Sequence, residues 1–460
     1  MKNNHLTQTP GSRPLAMRRR GFTTPAVAIA LLVTMCGLAM ILDRLWLDTA
    51  DLELTTAAEG AALAAASRLA SDDLLRPNAD PEQALDLARI DAAWIASQNV
   101  VAGTPVILDT SLQGDVRLGR LILETELGKV QFIETAVCPT TAVVTARRTR
   151  QSSNPVALFM AGATGQPYGD VVSRVEASID NRVCGVRPLI DVPVPALPMA
   201  IWLTDPSGLR VDTWQTQIQA RQGQDAYGYD SIGQRVFTGS DGIPEIVLRS
   251  QASGQKAAAS NMLVLDVGTG LNDLELGRQF ASGWTADDLN TFGGEMCVTA
   301  ATPVSMRASA ELRNADRQAL DTLIGQPRIC LLYSAVAATG NTSDLMATCV
   351  QMVAIRVLAV ADQPDGSCSV VVQPCVLKTK TAILAVSSPY STDSVVPVSP
   401  YSVPATVPTG TASGTNASNS TPNTTTTGSA TTAGTVNTGT SGSPITCPGN
   451  PYIYKLHLTH

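Results

Sequence analysis
Histidines, cysteines and paired carboxylates are the side chains most often recruited for catalysis or metal binding, and this chain is poor in the first of them. Its three histidines are His5, His457 and His460. A histidine-activated nucleophile or a histidine-bound zinc would therefore have to draw on the two ends of the sequence. Cysteines are more informative. Cys36 lies in an apolar run, and eight others follow it: Cys138, Cys184, Cys297, Cys330, Cys349, Cys368, Cys375 and Cys447. None has Cys-x-x-Cys spacing, the usual pattern of zinc ribbons and thioredoxin-like redox centres. An even number beyond an apolar segment predicts disulfide staples on an oxidising side of a membrane. Cys138 and Cys184 are the only two in the first block after that segment and are expected to pair, while the other six leave their connectivity open. Acids are paired at Asp72-Asp73 and Asp287-Asp288. Thr285-Ala-Asp-Asp288 reads as a helix N-cap with acids in the first turn, where they complement the helix dipole. Cys447, His457 and His460 could converge on a metal only if their terminal segment were ordered, and it is expected to be floppy. Tyr227, Tyr229, Trp214 and Trp284 are expected in a core or interface. The sequence assigns no catalytic, cofactor-binding or metal-ligating residue.

One motif carries two sharper readings. Leu263-Val-Leu-Asp-Val-Gly-Thr-Gly270 resembles the first glycine-rich motif of adenosylmethionine-dependent methyltransferases, in which glycines let the backbone approach the cofactor. The next glycine of that motif is replaced by Asn272. It is also similar to the metal-ion-dependent adhesion site of von Willebrand A domains, an Asp-x-Ser-x-Ser arrangement of oxygen ligands. Here Gly268 and Gly270 stand at both serine positions and leave Asp266 and Thr269. The expectation is a strand followed by a glycine-rich turn, with no cofactor.

The elements that must hold these residues begin with a membrane segment. Lys2, Arg13, Arg18, Arg19 and Arg20 precede an uncharged run, and the 21 residues from Phe22 to Leu42 would cover about 30 Å as a helix. Asp43, Arg44, Asp48, Asp51 and Glu53 follow. A basic flank before the span predicts a single-pass anchor with its N-terminus in the cytoplasm. A cleaved secretory signal is the alternative, but Met40-Ile-Leu-Asp43 is a poor cleavage site and the apolar run is longer than a signal needs. Pro is absent from Trp46 to Ala70 and Ala dominates, so the helix is expected to continue past the membrane, with Leu52, Glu59, Leu63, Ala66 and Ala70 recurring at helical steps. Gly37 and Ala39 are small enough for close contact with a neighbouring helix.

Arg20-Gly21-Phe22 resembles a prepilin processing site, with cleavage after Gly21 leaving Phe22 first. The pilin pattern places Glu at the fifth mature position, which here is Ala26. The basic Arg-Arg-Gly stop, the span ending in Asp43-Arg44 and the run Leu54-Thr-Thr-Ala-Ala-Glu-Gly-Ala-Ala-Leu-Ala-Ala-Ala66 resemble the N-terminal segment of the TadG-like family of tight-adherence (Flp) pilus assembly. Glu59-Gly60 stands where that family has Asp in its Ala-rich motif. Val144-Thr-Ala-Arg-Arg-Thr-Arg150, Asn154-Pro-Val-Ala-Leu-Phe159 and Val171-Val-Ser-Arg-Val-Glu-Ala-Ser178 are similar to the strand, helix and strand of the family's exported part. The resemblance implies a minor-pilin-like membrane protein without catalysis, located in a bacterial inner membrane and working with pilus-assembly or pilin-like proteins.

The fold class is expected to be α+β. Residues 1–21 form a basic segment and 22–42 the transmembrane helix. Residues 43–187 make a pilin-like α+β domain, with a helix opened by Asp80-Pro81 and running to about Asn99, strands at 105–109, 115–124, 129–134, 142–148 and 170–180, and a short helix at 156–162. A Pro-rich connector at 188–198 leads to a second α+β domain at 199–386, with helices at 274–282, 286–292 and 316–324. Residues 387–446 are a Ser/Thr/Pro/Gly/Asn-rich spacer with Asp393 as its one charge and sequons at Asn416, Asn419 and Asn423, too polar to bury a core. Residues 447–460 close the chain. With 32 Lys+Arg against 39 Asp+Glu, the net charge offers no basic field for nucleic acid. The functional expectation is a non-catalytic membrane-anchored component of pilus assembly or envelope adhesion. The alternative is a membrane-anchored adhesin or ligand-binding module unrelated to pili, and an exported hydrolase is a third class disfavoured by the missing histidines.

Overall fold
The computed structural model describes residues 23–77, 79–124, 129–252, 260–338, 345–385 and 449–459. The processing site Gly21-Phe22, the spacer with its sequons, Cys447 and His460 lie outside the described residues. The protein is mixed α+β, with one long apolar helix near its N-terminus that can cross a membrane. Helix α1 runs unbroken over Thr23–Arg68, 46 residues, and α2 over Pro81–Ser97. Asp80 caps α2 by accepting the Glu82 N–H at 3.0 Å, with Pro81 in the first turn.

Four strands follow: β1 (Val116–Glu124), β2 (Lys129–Glu134), β3 (Thr141–Arg148) and β4 (Val171–Asp180). Then come β5 (Val183–Val186), β6 (Ala196–Trp202), β7 (Ile246–Arg249), β8 (Met262–Leu265), β9 (Met296–Cys297), β10 (Val304–Ser309), β11 (Pro327–Ala338), β12 (Leu345–Asp362) and β13 (Cys368–Pro374). The last three are β14 (Leu377–Lys378), β15 (Ala382–Leu384) and β16 (Ile453–Thr459).

The first unit is a six-stranded sheet in the order β14-β16-β4-β3-β1-β2, with α1 and α2 packed on one face. Along β4, Val171, Ser173, Val175, Ala177 and Ile179 all turn inward, as the alternation predicts. They meet a stripe of α1 formed by Ala50, Leu54, Ala57, Ala58, Ala61, Ala62, Ala65 and Ala66, each at most 1% exposed. Of the positions expected on one face, Ala66 and Ala70 are fully buried and Glu59 and Leu63 half-buried, while Leu52 is 70% exposed. Small side chains on both helix flanks let sheet and α2 approach closely, and Ala88, Ala92 and Ala96 answer from α2. A Thr55–Ser173 hydroxyl hydrogen bond of 2.9 Å satisfies the polar pair within this contact.

The 453–459 strand departs most from expectation. Far from being floppy, β16 is an inner strand, antiparallel to β4 with His457 opposite Ser178 and parallel to β14. The described chain leaves at Ala385, whose N–H donates to the Arg182 carbonyl at 2.8 Å, and returns at Asn450, whose N–H donates to the Asn181 carbonyl at 2.7 Å. Exit and return are thus held at adjacent residues. Two short-range expectations also change. Residues 156–162 give a two-residue strand and a helical turn, α3 (Ala161–Thr164), in place of a helix. Residues 286–292 form turns and a short 3-10 segment ending at Gly293, whose left-handed φ of 79° stops further winding.

The second unit closes into a barrel. Strands β12-β10-β8-β6-β11 pair in sequence, and β11 pairs back onto β12. All of these contacts are antiparallel except β6 with β11. The 18-residue β12 is long enough to use both edges: Leu345–Arg356 pair with β11 and close the barrel, while on the other edge Leu345–Cys349 pair with β10 and Ile355–Asp362 with β13. Helices α4 (Asp273–Ser282) and α5 (Asn314–Thr322) pack against each other and against strands of the barrel, and Trp214, Phe280 and Trp284 are fully buried in the hydrophobic core of this unit. The connector is shorter than the proline count suggests, because Pro195 and Pro198 already belong to the start of the barrel. The Pro195 carbonyl accepts from Ile329 N–H at 2.8 Å, and a register shift accommodates the residues that follow.

The two units are tied together at several points. A sheet β9-β5-β15 joins residues from both. Just past α1, Asp72 receives the Arg356 guanidinium at 2.7 Å and the Val376 N–H at 2.6 Å. Arg356 stacks over Tyr229 at 3.7 Å and donates to the Gly325 carbonyl. Its side chain is 6% exposed and that of Asp72 24%. Removing one partner of a fully buried pair costs about 3–5 kcal/mol, but the water left at Asp72 weakens this one. Asp72→Ala is expected to lower unfolding stability by about 2 kcal/mol, and the double change with Arg356→Met to lower it less, as read by denaturant titration. A site-specific protease sequence placed within 386–448 tests the return strand. After cutting and reduction, the two pieces should co-elute in native buffer and separate only in denaturant.

Candidate membrane anchor and its ectodomain contacts
The apolar half of α1 and the half that supports the sheet are one helix, so the place where they meet is the candidate site. An 18-residue window in the first half has a mean hydropathy of 2.4 and is almost wholly uncovered. Val27, Ile29, Leu31, Leu32, Val33, Met35, Leu38, Met40 and Ile41 all project outward. A helix apolar on every side and bare of protein fits a hydrocarbon surrounding. Gly37 lies open, with nothing within 4 Å of the position a Cβ would take. Ala39 is buried at 3%. Of the two small residues, Gly37 alone remains free for a neighbouring helix.

Asp43 ends the apolar run and is 5% exposed. Its Oδ1 accepts the Met160 N–H at 3.0 Å and its Oδ2 the Thr164 hydroxyl at 3.4 Å. These donors stand at the start and end of α3, so the carboxylate holds that turn against the helix. One turn on, the Trp46 Nε1–H donates to the Ala157 carbonyl at 3.1 Å, and its ring lies 4.7 Å from that of Phe159. Gly169 faces Leu47 so closely that a Cβ would stand 2.4 Å from Leu47 Cδ2. Arg44 and Asp48 pair at 3.1 Å on the exposed side. The sequence marks Asp43 as the end of a span, while its role as a clamp on residues more than 110 positions away emerges only in three dimensions.

The cysteines are rearranged relative to expectation. Cys138 is disulfide-bonded, but Cys184 carries a free thiol, as do Cys297, Cys330, Cys349, Cys368 and Cys375. The expected Cys138–Cys184 pair is therefore not formed, and the partner of Cys138 lies outside the described residues. Cys184 sits on β5, turned toward the Ile383 carbonyl at 3.5 Å and toward β9. There Cys297 stands opposite Gly185, and the Val298 N–H donates to the Cys184 carbonyl. Gly185 is needed here, since a Cβ would lie 2.6 Å from Cys297 Sγ. Burial, then the neighbouring Cys184, push the Cys297 thiol up to about 11. Burial also raises Cys330 and Cys375, and lifts Cys349 to about 12. Cys330, Cys349 and Cys375, each fully buried, are shielded from reagents in the folded protein.

The other singled-out residues serve the fold. Asp266 Oδ1 accepts the N–H groups of Thr269 and Gly270 at 2.9 and 2.7 Å. Gly268, at φ 76°, lies where a Cβ would meet the Asp288 carbonyl at 2.2 Å. The glycine-rich motif is a strand end folded onto its neighbour. Asp288 accepts the Thr285 N–H and hydroxyl at 2.7 and 2.8 Å and pairs with Arg278. Burial pulls its carboxyl up, but these hydrogen bonds outweigh it and hold the group below its ordinary value. Asp73 pairs with Arg68 and Arg76. Trp214 packs edge-on to Tyr452 at 5.8 Å. Among the described residues, no three His, Cys, Asp or Glu side chains gather as a metal site.

No protein-family model, curated protein or solved structure matches the chain. The geometry makes a sharper claim about cysteine. Mild oxidation with a disulfide-donating reagent should join Cys184 to Cys297 with loss of two hydrogens, read as a cross-linked peptide pair by mass spectrometry. Cys330, Cys349 and Cys375 should resist alkylation until the protein is unfolded.

Proposed function
We propose that the protein is a non-catalytic, membrane-anchored component of a Flp/Tad-type pilus-assembly or envelope adhesion machinery, held in a bacterial inner membrane with its N-terminus cytoplasmic and its folded units outside. The observation that carries this reading is the unbroken α1, which is bare and apolar over its first half and supports a β-sheet with its second. A helix shared between bilayer and sheet is the arrangement that minor-pilin-like proteins require, because lateral packing of the apolar half then places the attached domain along an assembly. The basic flank before the span sets the orientation, and the TadG-like motifs from Arg18 to Leu63 and from Val144 to Ser178 supply the family reading.

The test is affinity capture of the full-length protein from native membranes, with intact-mass and N-terminal analysis of the product. The reading predicts co-purification with pilus-assembly ATPase or membrane-platform proteins, and loss of surface pili on deletion. A start at Met1 fits a retained anchor, and one at Phe22 fits pilin-like processing. Normal piliation in the deletion strain, with no assembly protein captured, would sink the proposal in favour of an adhesin unrelated to pili.

A further inference from the structure
We infer that the 158–169 loop is a second membrane contact, seated in the headgroup and upper acyl region of the bilayer that α1 enters. The inference rests on the anchoring read from α1. Leu158-Phe-Met-Ala-Gly-Ala-Thr-Gly-Gln-Pro-Tyr-Gly169 contains no charged residue. It holds Phe159 at 69% exposure, Tyr168 at 46% and Met160 at 37%. An uncharged loop that bares two aromatics and a methionine is ill-suited to water, and its position names what covers it. Asp43 receives Met160 N–H and Thr164 Oγ1, which fixes the loop at the level of the last apolar turn of α1. Phe159 lies against Trp46, only four residues beyond Leu42, or about 6 Å along the axis.

Any bilayer that accommodates the run to Leu42 must therefore meet the loop at its surface. Aromatic rings with one polar edge favour that depth, and Trp46 has already spent its N–H on the Ala157 carbonyl. The Asp43 carboxylate is satisfied by the loop's own donors and is not left bare in the interface. The surface is thus continuous with the span. Two points of attachment, helix and loop, would fix the rotation of the ectodomain about α1, which a single helix leaves free.

The test uses the full-length protein reconstituted in phosphatidylcholine vesicles, comparing Phe159→Trp, Tyr168→Trp and Leu38→Trp with the parent. Lipids brominated near the headgroup or deeper in the chain serve as quenchers. The added emission at 159 or 168 should fall at least twofold with shallow bromines and less with deep ones, and Leu38→Trp should show the reverse order. If the Leu38 reporter is quenched while both loop reporters stay open to aqueous acrylamide, the loop contact is refuted and the anchor stands. Loop reporters shielded from both lipid and acrylamide would mean that a protein covers the loop, which also refutes it. An unquenched Leu38 reporter would overturn the anchor and the inference together.

Discussion
The structure depends on α1 remaining a single helix while its surface changes from a bare apolar half, long enough to cross a membrane, to a half covered by protein. The two halves meet opposite demands. Over the bare apolar half, large aliphatic side chains stand exposed on every side, as a helix suited to a hydrocarbon surrounding requires. Where a sheet and α2 are the neighbours, Ala replaces them on two flanks, because a rigid surface approached from both sides leaves room for little more than a methyl group. The exchange occurs within about two turns, around Asp43 and Trp46. No proline or glycine interrupts α1 between residues 38 and 59, so a tilt of the apolar half is passed directly to the sheet.

The barrel unit inherits its position from this helix through contacts that differ in chemistry. Asp72 follows the end of α1 within a turn and meets Arg356 on β12. Leu75, in the same turn, packs against the hydrophobic cores of both units. The small sheet β9-β5-β15 adds backbone pairing, with β5 leading out of the first unit and β9 and β15 arriving from the second. An ion pair, an apolar side chain and a ladder of amide hydrogen bonds lose strength under different conditions, so weakening one leaves the others in place.

Much of the local structure was legible because it is encoded locally. Asp80-Pro81 opens α2, and the alternation in 171–179 marks the buried face of β4. What escaped was nonlocal. Nothing in Ile453-Tyr-Lys-Leu-His-Leu-Thr459 announces that its partner is β4, more than 270 residues earlier, and a short strand after a polar stretch reads like a tail. The barrel is hidden for a similar reason: β12 changes partners along one edge, and the β6–β11 contact is parallel across more than 120 residues. Cysteine order misled in the same way, since Cys184 is near Cys138 in sequence but β5 faces β9 and Cys297. The 156–162 segment has helical composition, but the Asp43 carboxylate and the pairing of Val156 with Gly169 hold it to a single turn.

The adjacency of Ala385 and Asn450 at Arg182 and Asn181 changes what the intervening 386–448 segment is to the molecule. The fold requires only that its two ends meet at one doorway, and says nothing about how far the chain travels between them. Closing a flexible loop costs entropy that grows only with the logarithm of its length, about 0.6 kcal/mol for each doubling. The number of residues between Ala385 and Asn450 is therefore only weakly coupled to the stability of the sheet that the returning strand completes. Ends held this close together let the protein gain or lose sequence between them, or carry a foreign domain whose own ends lie close together, without renegotiating the described architecture.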